Sequence, residues 1–180
     1  MSLEELTKIL SSIDNVIVKT YVTKITSKEE LNHMLSIISQ YSDTSGIIQI
    51  IRSDVYYSDK QIKLAAALAL KAHRESHAIS RNTAIEFLLY LSSTTQIKKA
   101  LEKIGVDPKQ NACIIIASDN PHYIKDAERI LLKEIKMNIK DEKCKGDINY
   151  ILNLYDIPKQ PDKDLELTIL TKIALTYIER

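Results

Sequence analysis

Apolar and β-branched residues crowd three short stretches of the chain and recur at three- and four-residue spacing elsewhere. Residues 16–25, Val-Ile-Val-Lys-Thr-Tyr-Val-Thr-Lys-Ile, are β-branched and mostly apolar without a helical period, which predicts a strand. Ser27-Lys28-Glu29-Glu30 reads as a capping box, and Leu31, Met34, Leu35 and Ile38 behind it predict a helix to about Gln40. Ser42 to Gly46 reads as a turn and Ile47 to Ile51 as a buried strand. Ser58-Asp59-Lys60-Gln61 is a second capping box. The helix it opens, Ile62 to about Glu75, carries Leu64-Ala65-Ala66-Ala67-Leu68-Ala69-Leu70, apolar nearly all round, so it should lie centrally. Ser80 is placed to cap a helix from Arg81 to Leu91. Ser93-Thr94-Thr95-Gln96 forms a third box before a helix Ile97–Ile104, which Gly105 should end in a left-handed conformation.

Asn111 to Ser118 is apolar on both faces, the pattern of a central strand. Asn120-Pro121 reads as N-cap and first helical residue, with a helix from Tyr123 to about Met137. Asp141 to Asp147 reads as a charged loop and Ile148 to Leu154 as a short helix. Pro158 and Pro161 break the chain, and Asp162 is placed to cap a last helix over 163–178 with Leu165, Ile169, Ile173 and Tyr177 on one stripe. These elements predict one mixed α/β (α+β) domain over residues 1–180, helix-dominated, with a small, mainly antiparallel sheet.

Composition narrows the chemistry. The 180 residues include only 3 glycines, Gly46, Gly105 and Gly146, far apart. Loops that cradle phosphates need clustered glycines so that backbone N–H groups can reach the ligand, so a P-loop, a dinucleotide fingerprint and a kinase glycine loop are not expected. The apolar run Leu64–Leu70 is too short to span a bilayer, and the acidic start Met1-Ser2-Leu3-Glu4-Glu5 gives no expectation of a secretory signal. Cys113 and Cys144 lack the close spacing of a metal ribbon. Cys113 reads as a small hydrophobe in a strand and Cys144 as an exposed loop thiol, which together suggest a reducing, cytoplasmic setting. No cofactor is implied.

Charge is uneven: residues 1–50 sum to −2, residues 51–110 to +4 and residues 111–180 to −1. The basic middle third falls short of a stand-alone nucleic-acid footprint, so any RNA contact should be local or shared with a partner. His73 and His77 share a helical face only if their helix is continuous, and no third zinc ligand is indicated beside the blander reading of polar residues at a helix end. No nucleophile–base set is legible from spacing, so no enzyme activity is expected. The junction Ser92–Gln96 offers hydroxyls and helix N–H groups to a phosphate or ribose, while the same groups serve equally as caps of their own helix. Lys71, Arg74, Arg81, Lys98 and Lys99 fall on the end of one helix and the starts of the next two. They converge on that junction if the loops between are short, with Tyr90 a stacking surface if its edge is exposed.

Within this stretch, Glu86-Phe87-Leu88-Leu89-Tyr90-Leu91-Ser92 followed by Gln96-Ile97-Lys98-Lys99-Ala100-Leu101-Glu102-Lys103-Ile104-Gly105 resembles the small kinase-binding subunit of the KEOPS complex, the TPRKB (PRPK-binding protein) family. The Ala/Leu-rich helix before it, the strand after it and the apolar last helix extend the resemblance over most of the chain. The resemblance implies a non-catalytic subunit in a hetero-oligomeric machine that adds threonylcarbamoyl to tRNA adenosine. Such a subunit binds and stimulates a small kinase/ATPase and helps recruit tRNA through its single-stranded 3′ tail. Arg81, Glu86, Tyr90, Gln96 and Ile97 match the family pattern; Ser93 stands where the family commonly has Gly, and Thr95 where it commonly has Arg. The expected RNA-binding set joins Arg81, Tyr90 and Gln96 from this match to Lys71, Arg74, Lys98 and Lys99 from the basic cluster. A protein-only adaptor that regulates its kinase without touching RNA is the alternative.

Overall fold

The computed structural model describes residues 13–41, 45–134, 144–159 and 164–179. In chain order these form β1 (Ile17–Lys24), α1 (Lys28–Tyr41), β2 (Ile47–Arg52), a single 3₁₀ turn (Ser53–Val55), α2 (Asp59–Arg74), α3 (Thr83–Leu91), α4 (Ile97–Ile104), β3 (Asn111–Ser118), α5 (Pro121–Glu134), α6 (Ile148–Leu154) and α7 (Leu165–Ile178). The sheet order is β1-β3-β2, and β3 pairs antiparallel with both neighbours, Ile17 opposite Ser118 and Ile47 opposite Ala117. β1 and β2 therefore run the same way, joined through α1 with β3 inserted between them, a split β-α-β unit.

The two-faced apolar pattern of β3 has a direct cause: both faces of the sheet are covered. Ala112, Ile114 and Ile116 pack with Leu31, Met34, Ile37 and Ile38 of α1 and Ile124, Ala127 and Leu131 of α5. Cys113, Ile115 and Ala117 face the larger core, built from α2, α3, α6 and the Ile169 and Ile173 stripe of α7. On α1 the inward position is Ile37 rather than Leu35, which is 41% exposed. β2 is an edge strand yet buried, because α3 lies along its edge. There Gln49 turns its amide back to accept the Ile50 N–H (2.8 Å) and donates to the Ala84 carbonyl (3.3 Å).

Caps fix the helix starts, with shifts of a residue or two from expectation. Ser27 Oγ accepts the Glu30 N–H (3.1 Å), and the Glu30 carboxylate reaches back to the Thr26 N–H (2.5 Å) and hydroxyl (2.6 Å). Asn82, not Ser80, caps α3, accepting from Ala84 and Ile85 N–H groups. Asp164 caps α7, and Asp162 lies outside the described residues. α5 begins at Pro121, and residues 135–137 of its expected end also lie outside. The third capping box does not form: Gln96 is the N-cap residue of α4 with no side-chain cap bond, and Ser93 instead ends α3. Ser93 has φ 49°, its N–H donates to the Tyr90 carbonyl (3.0 Å), and the Thr94 N–H donates to the Leu89 carbonyl (3.0 Å). That is the Schellman pattern, usually built on glycine. Ser76 after α2 and Asp156 after α6 do the same at φ 60° and 51°. Gly105, by contrast, is extended at φ −64°; glycine is required there because the Leu101 carbonyl occupies the place of a Cβ.

Cys113 and Cys144 are joined as a disulfide with Cα atoms 5.9 Å apart, and Cys144 is buried. This corrects both the exposed-thiol reading and the premise of unpaired thiols behind the reducing compartment. The pair is 31 residues apart in sequence and meets only because the residues before α6 fold under the sheet. Among the described residues no helix is long and apolar enough to cross a membrane.

Candidate functional site

The α3–α4 hairpin carries the Ser92–Gln96 junction. Its buried leg, α3, turns Phe87, Leu88, Leu89, Tyr90 and Leu91 into the core. Glu86 is buried as well and accepts the Ser80 N–H (2.9 Å), which ties the loop bearing Arg81 to α3. Arg81 itself is exposed, and no ion pair is formed with it among the described residues.

At the junction the hydroxyls are not all outward. Ser92 Oγ is buried and donates to the Leu88 carbonyl (2.6 Å), and Ser93 Oγ is buried without a partner. Thr94 Oγ1 accepts the Gln96 N–H (3.3 Å). Thr95, Gln96, Lys98 and Lys99 are exposed. Lys98, with a 90% exposed side chain, lies 3.9 Å from Glu102, an exposed pair that contributes little to stability. The open N-terminus of α4 thus presents helix N–H groups and two lysines on one exposed turn, the electrostatics that favour a phosphate.

The rest of the expected cluster lies elsewhere. Gln61, in the first turn of α2, reaches Tyr155, whose hydroxyl donates to the Leu91 carbonyl beside the junction (2.6 Å). Lys71 and Arg74 sit at the other end of α2, roughly 15–20 Å away at about 1.5 Å rise per residue. They border a separate cleft of about 240 Å³ with Asn15 and Asp119. Both have partners within the chain: the exposed Arg74 pairs with Asp119 at 2.5 Å, and Lys71 lies over the Tyr177 ring at 4.9 Å and near Glu75 at 3.9 Å. Tyr90 is 0% exposed and packs against Tyr177, ring centroids 6.0 Å apart. It has no edge for a base to stack on, which corrects its role as a stacking surface. His73 and His77 do not share a helix face either, since Ser76 ends α2 between them, and no three metal-ligating side chains meet among the described residues.

Sequence reasoning missed a groove of about 590 Å³ between α1, β2, α3 and α4. Leu31, Leu35, Ile85 and Leu101 line it, Gln49 forms part of its floor, and Lys98 stands at its rim. The outward turn of Leu35 and Leu101 was its only sequence signal, and that is visible only once the helices are placed.

The family model for the kinase binding protein CGI-121 matches residues 22–177, from the middle of β1 to the last turn of α7. The chain belongs to this family. The match includes the whole α3–α4 hairpin, the groove between α1, β2, α3 and α4, and the disulfide. A comparison with curated proteins gives no match. Membership makes the chain one of a family of kinase-binding proteins, in agreement with the resemblance carried by residues 86–105.

Proposed function

We propose that this CGI-121 family member is a non-catalytic accessory subunit of the KEOPS complex, which adds threonylcarbamoyl to tRNA adenosine. In this reading it binds and stimulates the small kinase/ATPase subunit and helps bring in tRNA by its 3′ tail. Family membership over residues 22–177 carries the kinase half. The RNA half rests on the uncapped start of α4, where Gln96, Lys98 and Lys99 are exposed together beside Thr95. A backbone phosphate of the tail gains there from the helix dipole and from two exposed cations at once. The scarcity of glycine supports a role without nucleotide chemistry of its own.

The second reading is a protein-only adaptor that acts on its kinase partner without contacting RNA. It is favoured by the burial of Tyr90 and by the internal pairing of Lys71 and Arg74, which leave the RNA surface small. Anisotropy titrations of the isolated chain with tRNA, intact and lacking its 3′ tail, separate the two. Tail-dependent binding supports recruitment. Equal binding of both tRNAs, or none, together with stimulation of the kinase's ATPase, supports the adaptor.

A further inference from the structure

One short helix holds both legs of the α3–α4 hairpin. Tyr155, the residue that closes α6, donates its hydroxyl hydrogen to the Leu91 carbonyl at the end of α3 (2.6 Å). Tyr150, within α6, donates to the Lys103 carbonyl near the end of α4, and Lys103 Nζ donates back to the Leu154 carbonyl (3.4 Å). The Ser92–Gln96 junction lies between these two anchors. α4 has no side-chain cap of its own, and α6 bonds to the last residue of α3 and to the last turn of α4. Tyr155 also accepts from Gln61 Nε2 (2.9 Å), and Gln61 Oε1 accepts the Tyr57 N–H (2.8 Å), which fixes α6 against the first turn of α2.

α6 in turn is anchored from its N-terminal side. The Asp147 carboxylate caps it through the Asn149 and Tyr150 N–H groups (2.8 and 3.0 Å), and the Asp147 N–H donates to the Asp54 carbonyl (3.0 Å). At Gly146 the backbone lies so close to the Tyr56 carbonyl that no side chain fits. Cys144, three residues before Asp147, is bonded to Cys113 on the central strand β3. The sheet, the disulfide, α6 and the junction therefore form one continuous mechanical path.

We propose that α6 is a positioning element for the α3–α4 junction, with Tyr155 and Tyr150 as its contacts and the Cys113–Cys144 disulfide as its anchor. Opening that bond with a dithiol then loosens the junction and weakens its hold on a single-stranded RNA tail. In the opening step one thiolate of the dithiol attacks a sulfur of the pair, and its second thiolate displaces the mixed disulfide. The reductant leaves as its cyclic disulfide, and two electrons and two protons remain on the protein as two thiols. The RNA consequence rests on the recruitment reading above; the positioning role does not.

The test uses the full-length chain in three forms: oxidised, refolded in excess dithiol, and Tyr155→Phe in the oxidised state. Residue-resolved hydrogen exchange follows the Ser93, Thr94 and Ala100 amides against Ile114–Ile116 of β3. Anisotropy follows a labelled single-stranded oligonucleotide with the sequence of a tRNA 3′ tail. The expected result is at least tenfold faster exchange at the junction in the second and third forms, with β3 still exchanging more slowly than the junction in every form, and a severalfold loss of oligonucleotide affinity in both. Unchanged junction exchange overturns the proposal. Junction and β3 amides exchanging at one common free energy in these forms also overturns it, because the disulfide then serves global stability alone. Faster junction exchange in a chain whose oxidised form binds no oligonucleotide leaves the positioning role standing and removes the RNA reading.

Discussion

Reducing the Cys113–Cys144 bond should lower the melting temperature by about 10 °C without changing the fold. The bond closes a loop over a sequence separation of 31. Chain-entropy arithmetic for a loop of that length gives about 12 cal/mol/K, or about 3.7 kcal/mol at 25 °C, removed from the unfolded state. A chain of 180 residues unfolds with about 0.38 kcal/mol/K of entropy near its midpoint, at about 2.1 cal/mol/K per residue, which converts that energy to the stated shift. The native state should absorb the change. Cys113 is packed between the sheet and α2, and as a thiol it remains a small apolar side chain in the same place. Calorimetry on oxidised and dithiol-refolded protein, with thiols counted under denaturing conditions, measures the difference. A shift under about 3 °C, with the disulfide confirmed in the first sample and absent in the second, refutes the reasoning. It would mean either that residual structure already holds the loop closed in the unfolded chain or that the native bond is strained by a compensating amount.

Ser93→Gly should stabilise the chain by about 1 kcal/mol, raising the melting temperature by a few degrees, because glycine occupies the left-handed region without the Cβ penalty. The lost Ser93 hydroxyl makes no bond that the substitution breaks. Leu68→Asp should prevent folding, seen as loss of the cooperative transition: Leu68 is fully buried in α2, and an unpaired carboxylate there costs several kcal/mol, comparable to total stability. The Glu30 carboxyl is held below its ordinary value of 4.5, chiefly by the side-chain hydrogen bond from Thr26, with the Thr26 N–H next. Its contribution is therefore present above pH 4.5 and is lost as pH falls through the lower folded value, so Glu30→Gln should flatten the acid limb of a denaturation profile. An unaltered limb would place the acid sensitivity on other carboxylates.

The strands were legible because their residues are β-branched and their turns polar, and β3 announced its central place by being apolar on alternate residues of both faces. The helices were legible from spacing, and α4 and α6 fall on their expected bounds. What failed did so where the decisive fact is not local. Ser93 and Gln96 have the spacing of a capping box, but a preceding helix that ends in a left-handed residue uses Ser93 first. Leu35 and Ile37 both suit a helix stripe, and only the placement of the sheet chooses between them. The five basic residues are close in sequence, yet α2 is long enough to carry Lys71 and Arg74 about 15–20 Å from its own first turn, which is bonded beside the junction through Tyr155. Cys144 sits among charged neighbours in sequence and is buried only by the return of the chain beneath β3.

The central claim, that this kinase-binding subunit recruits tRNA at the start of α4, is tested most directly by Lys98→Glu/Lys99→Glu in tRNA binding at two salt concentrations. Both side chains are exposed on one turn, so folding should be intact and the melting temperature close to wild type. The account predicts affinity down by tenfold or more, and a salt slope reduced by roughly one to two units as the phosphate contacts are lost. Unchanged affinity and slope, in a variant that still binds and stimulates the kinase, would contradict it and leave the protein-only adaptor as the function.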